Sequence, residues 1–144
     1  MILLETCRIY LSGGMKGTSW EEQTKWRRQF ADAIKWNYEF DKNASVFDPT
    51  QYYNYEETLQ KSEKEIMEFE LNALRNSDLV VVNFNEPSSI GTSMELMLAY
   101  ELRIPIVALN KDKKEIHPWL LETCSRVCDN MRELVEYVVD FYLK

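Results

Sequence analysis

Apolar residues along the chain fall into two rhythms. Continuous runs at 7–11 (CRIYL), 78–84 (DLVVVNF) and 104–110 (IPIVALN) are aliphatic, and the second is β-branched, as expected of strands buried on both faces. A shorter run at 45–49 (SVFDP) predicts a brief strand ended by Pro49. Between these runs the period lengthens. Over 20–38 the residues Trp26, Phe30, Ala33 and Ile34 recur at helical spacing, with Ser19 as N-cap and acids in the first turn. Over 62–76 Ile66, Phe69, Leu71 and Leu74 do the same, 92–102 continues the central strand as a helix, and 130–143 closes the chain as an amphipathic helix. The stretch at 50–58 (TQYYNYEET) reads as a polar, aromatic loop, and HPWLLETC opens a loop and a short helix.

Strands therefore alternate with helices from end to end. The economical architecture is one α/β domain over 1–144, a parallel sheet covered by helices on both faces. Ligands of such sheets bind at the carboxyl ends of the strands. Here those ends are the Gly13 loop, the Asp48 turn, the loop from Asn83 to Gly91 and the loop from Asn110 to Trp119.

Composition narrows the partners. With 17 basic against 24 acidic residues the chain carries −7, and no basic stripe could neutralise the phosphates of a duplex, so nucleic acid is not expected as a partner. A small anion remains compatible, because backbone N–H groups bind one locally whatever the net charge. The one histidine, His117, leaves no nitrogen-rich metal site, and no metal or other cofactor is expected. Cys124 and Cys128, four apart, are expected on one helix face rather than in a redox pair, and with Cys7 they make an odd, sparse set. No signal peptide and no membrane-length apolar run is visible, so the expected setting is the reducing cytoplasm, away from membranes.

Two loops carry chemistry. SGGMKG (12–17) places Gly13, Gly14 and Gly17 around Met15 and Lys16, letting backbone approach a phosphate or carboxylate with a cation beside it. It matches neither the Walker loop nor the dinucleotide turn, and a tight strand-to-helix turn explains it equally. PSSIGTSME (87–95) puts Ser89 and Gly91 ahead of a helix and Glu95 in its expected first turn. Thr92 or Ser93 as N-cap with Glu95 on the helix dipole is one reading. The other has Ser89 and the Gly91 amide holding an anion, while Glu95, kept ionised by the helix end, attacks a carbon. Glu70 lies between Phe69 and Leu71, close to an apolar face, where partial burial would fit a carboxyl to donate a proton. Tyr10 ends the first strand and points into the core or over the sheet edge. Tyr52, Tyr53 and Tyr55 cap the site or cover the sheet edge, and His117 and Trp119 face a ligand or a subunit interface.

Taken in order, IYLSGGMKG and ELNALRNSDLVVVNFNEPSSIGTSMELMLAY resemble the nucleoside 2-deoxyribosyltransferase family and its relatives, the deoxynucleoside 5′-monophosphate N-glycosidases, from Tyr10 to about Leu109. The resemblance implies a flavodoxin-like, Rossmann-like sheet and cleavage of the bond between deoxyribose C1′ and a base nitrogen. Glu95, in its Met94-Glu95-Leu96 setting, falls on the family nucleophile, and Tyr10 on the tyrosine that orients it. Glu70 falls where the family carries an aspartate for the base proton, and the extra methylene is a departure. Ser89 stands where the transferase branch often has an acid. With Gly91, Lys16 and the Gly14 region it resembles the phosphate cradle of the monophosphate-cleaving branch, to which His117 or Trp119 would contribute across a dimer interface. The expectations that follow are transfer of the sugar to another base or to water through a glutamyl-deoxyribose intermediate, a role in nucleotide salvage, and a homodimer or larger homo-oligomer. Two alternatives stand beside them: hydrolysis of the monophosphates alone, and a nucleotide-sensing module without turnover.

Overall fold

The computed structural model describes residues 6–37, 44–52 and 62–143. Five strands, β1 (Cys7–Gly13), β2 (Ala44–Phe47), β3 (Leu79–Asn83), β4 (Ile106–Leu109) and β5 (Arg126–Cys128), form one parallel sheet in the order β2-β1-β3-β4-β5. Five helices connect and close it: α1 (Trp20–Asn37), α2 (Glu63–Arg75), α3 (Ile90–Glu101), α4 (Pro118–Thr123) and α5 (Met131–Val138), the last running on as a π-helical turn at Val139–Leu143. This is the flavodoxin-like order, and it reverses direction between β1 and β3. At that point the two connecting helices leave toward opposite faces and a crevice opens.

The central strands β1, β3 and β4 are buried on both sides because each face has its own helices. Ile9, Leu11, Leu79, Val81, Val107 and Leu109 pack under α1 and α5 with Phe30, Ile34, Leu134 and Val138. Their neighbours one residue along, Tyr10, Val80, Val82, Ile106 and Ala108, face Leu74 of α2 and Leu96 and Ala99 of α3. Successive side chains of a strand point to opposite faces, so each run of apolar residues feeds two cores. That is why β3 and β4 read as unbroken hydrophobic runs rather than as an alternation.

Boundaries moved where caps decide them. Ser62 caps α2 by accepting from the Glu65 amide, and Asn130 caps α5 by accepting from that of Glu133. Asp48 caps the 3-10 turn Pro49–Gln51. Tyr38, expected at the end of α1, lies outside the described residues. Two expectations need correction. The sequence reading contained no fifth strand, yet Arg126–Cys128 pairs with β4; three residues carry too little pattern to show a period, and only β4 beside them supplies the ladder. Cys124 and Cys128 consequently do not share a helix face: Cys124 is the C-cap of α4 and Cys128 ends β5. Among the described residues no helix is long and apolar enough to cross a membrane.

Candidate active site

A cavity of about 970 Å³ opens at the carboxyl ends of β1 and β3, lined by the loop after β1, the start of α3 and one face of α2. Its polar floor comes from the alternation within β1. Tyr10 and Ser12, two apart, both point toward α3, where Glu95 meets them. The Tyr10 hydroxyl donates to Glu95 Oε2, and Ser12 Oγ donates to Oε1 over 3.1 Å. Each carboxylate oxygen thus has its own hydroxyl, which fixes the rotation of the group.

Glu95 is not where the sequence pattern put it. The helix starts at Ile90, with Ser89 as N-cap accepting from the Thr92 amide, so neither Thr92 nor Ser93 is the cap. Glu95 then sits in the second turn, beyond the reach over which a helix end stabilises charge strongly. Burial pushes its carboxyl up from 4.5 to about 7; the Tyr10 hydrogen bond opposes that, nearby Glu70 adds to it, and Ser12 and Arg27 oppose it. The helix end is therefore not what opposes desolvation of this acid; its two hydroxyl partners and the buried Arg27 do, and desolvation prevails. Burial, reinforced by Glu95 and Glu70, raises the Tyr10 phenol well above its ordinary value, so it stays protonated and remains the donor.

The glycine loop is built rather than slack. Asn85, just past β3, receives the Gly14 N–H on Oδ1 at 3.2 Å and returns Nδ2 to the Gly14 carbonyl at 3.4 Å, extending the sheet ladder with a side chain. Lys114 donates to the Asn85 carbonyl from the loop after β4. Gln23 Nε2 holds the Met15 and Thr18 carbonyls at 2.7 and 3.0 Å from α1. Glycine is required at Gly14, because a Cβ there would stand 2.6 Å from Cβ of Glu86. It is also required at Gly17, whose φ is +83°. The loop so held turns Met15 and Lys16 to the cavity.

The expected site residues thus divide. Gly13, Met15, Lys16, Glu70, Ser89, Gly91 and Glu95 line one cavity, with Tyr10 beneath it and Gly14 in the loop's backbone clamp. Glu63 and Glu86 join them, so the cavity that Lys16 lines also carries four carboxyls, those of Glu63, Glu70, Glu86 and Glu95. Ser89 Oγ accepts from the Thr92 amide and the Thr92 hydroxyl and, among the described residues, keeps its own proton to donate. Asp48 lies behind the cavity, buried, accepting from Thr50 N and Oγ1 at 2.9 and 2.6 Å. Met94 faces outward from α3, half exposed. His117 caps α4 through Nδ1 to the Trp119 amide, and Trp119 is 80% exposed; neither lines the cavity. Tyr52 stacks on Phe47 at 5.1 Å, and Tyr53 and Tyr55 lie outside the described residues.

Ser12 and Arg27 were missed by the sequence reading, and each had a signal. Ser12 stands two residues beyond Tyr10 and so shares its face. Arg27 is a charge on the stripe Gln23, Arg27, Phe30, Ile34, where the helical period calls for apolar residues. Among the described residues no group of three His, Cys, Asp or Glu side chains is arranged to hold a metal.

A family model described as "Nucleoside 2-deoxyribosyltransferase like" matches residues 6–113. The fold resembles a conserved protein from Enterococcus faecalis V583, with a TM-score of 0.77 at 16% identity over 94% of this chain and 98% of that one. It resembles a 2-deoxyribosyltransferase from Bacillus psychrosaccharolyticus at a TM-score of 0.70 and 17% identity, covering 91% of this chain and 92% of that one. A CMP N-glycosidase from Clostridium botulinum, BcmB, aligns at a TM-score of 0.57 and 20% identity over 94% and 99%. At these identities the likeness is one of fold. The sequence matches none of the curated proteins.

Proposed function

The chain belongs to the nucleoside 2-deoxyribosyltransferase-like family, and from that premise we propose that it breaks the N-glycosidic bond of 2′-deoxyribonucleosides or their 5′-monophosphates, with Glu95 as nucleophile. The observation that carries the reading is a carboxyl held by two hydroxyls at the floor of a cavity of about 970 Å³, with a second carboxyl, Glu70, lining the same space. A Glu95 oxygen attacks C1′ from the side opposite the base. As the C1′–O bond forms, the C1′–N bond breaks, and its electron pair leaves with the base, which takes a proton from Glu70. Water or a second base then attacks C1′ and releases Glu95, returning a proton to Glu70. Two inversions at C1′ retain configuration, as in double-displacement glycosidases. Tyr10 and Ser12 fix the carboxylate for attack and hold its charge again when it leaves.

Two features bear on the substrate's far end. Ser89 with its free proton, the open space beside Gly91 and the Lys16 ammonium support binding of a 5′-phosphate. The exposed apolar side chains of Met94 and Met97 on α3, and of Trp119 on the adjoining α4, support the expected homo-oligomer.

The deciding experiment incubates the protein with deoxynucleosides and deoxynucleotides, with and without a free acceptor base, and follows products by chromatography. Free base with deoxyribose or its 5-phosphate identifies a hydrolase, and a new nucleoside identifies a transferase. Tight binding without product after long incubation would replace the proposal with a sensing module.

A further inference from the structure

Among the described residues Arg27 is the largest fully buried side chain and the only cation in the buried set. A guanidinium taken out of water is costly, and an apolar side chain of similar volume usually serves a core as well or better. Its contacts lie at the edge of the site. Nη1 donates to the Gln23 carbonyl at 2.7 Å, Nη2 to the Gly13 carbonyl at 3.3 Å, and Nε stands 3.9 Å from Asp48 Oδ1, with the Trp26 ring 4.7 Å from Cζ. Gly13 follows Ser12, the residue that bonds Glu95. The titratable groups that feel this cation are Asp48 after β2, Glu95 on α3, Tyr10 on β1 and Glu70 on α2. Three are acids, and the fourth is the phenol that bonds Glu95.

We propose that Arg27 is a positioning residue of the site: its fork ties α1 to the end of β1 through the Gly13 carbonyl, and its buried charge opposes the desolvation of Glu95. Asp48 orients the guanidinium and offsets its desolvation, which lets the cation lie buried without a carboxylate of the site turning away to neutralise it. The catalytic consequence rests on Glu95 being the nucleophile; the electrostatic one does not.

The test uses two variants of the full chain. Arg27→Gln with Asp48→Asn removes both charges together, keeps polar donors and leaves no buried charge unpaired. Arg27→Lys keeps the charge and loses the fork. The primary readout is the Glu95 carboxyl titration by NMR of carboxyl-labelled protein, assigned by its loss in Glu95→Gln, so it needs no turnover. In the charge-free pair Glu95 titrates about one pH unit higher, and the acid limb of kcat/KM moves with it, about a tenfold loss at fixed pH below the limb. In Arg27→Lys the titration and the limb stay in place while KM rises. A Glu95 titration unmoved in the charge-free pair, or shifted equally by Arg27→Lys, overturns the proposal and leaves Arg27 a structural clasp. If the wild type releases no base while the titration shifts as stated, the nucleophile assignment fails and this one stands.

Discussion

The two faces of β1 have opposite chemistry. Ile9 and Leu11 enter a dry core under α1 and α5, whereas Tyr10 and Ser12 enter the α2–α3 side and hold a carboxyl in a cavity. One strand thus contributes to the stability of one layer and to the chemistry of the other, with a change of a single residue position switching between them. The lesson is that the acid is held from a strand paired on both sides, by β2 and β3, while loops supply the rest of the lining. Its cost is a desolvated acid, whereas Ile9 and Leu11 present only hydrocarbon to the other face.

Substitutions on the two faces should therefore separate activity from stability. The largest effect is expected from Glu95→Gln, which lowers turnover by about a thousandfold or more in the product assay. The same variant should gain stability above neutral pH. The folded carboxyl titrates near 7 against 4.5 for the ordinary group, so between those values the folded state holds a proton that the unfolded chain releases, and stability falls as pH rises. Glutamine escapes that loss, so urea denaturation at about pH 8 should show it more stable by about 1–3 kcal/mol, with the gap closing toward about pH 4. An equal gap at both pH values would contradict the desolvated acid.

Next comes Leu11→Ala on the dry face, expected to cost about 2–5 kcal/mol in the same denaturation experiment. The pH profile of the remaining folded enzyme should not move; if it does, the two faces are not independent. Tyr10→Phe reverses that pattern. Losing one donor to Glu95 should lower kcat/KM by roughly a hundredfold and shift the acid limb upward, with little change in urea midpoint. Gly14→Ala forces a Cβ onto that of Glu86 and should cost about 1–3 kcal/mol, with KM rising as the loop leaves its Asn85 clamp. Ser12→Ala is the mildest, a loss of roughly two- to tenfold in kcat/KM, from one neutral hydrogen bond.

The glycine loop and the acid-bearing loop were legible in the sequence because glycines, strand-like runs and the Ser89-to-Glu95 spacing are local signals. The Glu95 electrostatics were misread for an equally local reason. A helix start two residues earlier, chosen by Ser89 as cap, moves the acid from the first turn to the second and exchanges helix-dipole stabilisation for hydroxyl partners. Asn85 could not be distinguished from an ordinary loop polar residue, since its role exists only where Gly14 comes alongside from 71 residues away.

By itself the sequence determined the alternation of strands and helices, the doubly covered sheet and the family, because periodicity and ordered motifs are properties of neighbouring residues. Only the tertiary structure decided which side chains from distant segments share a space: Tyr10 and Ser12 with Glu95, Glu70 across the cavity, and Arg27 with Asp48 behind it. Burial sets the charge state of an acid, and burial is created by the packing of segments far apart in the chain.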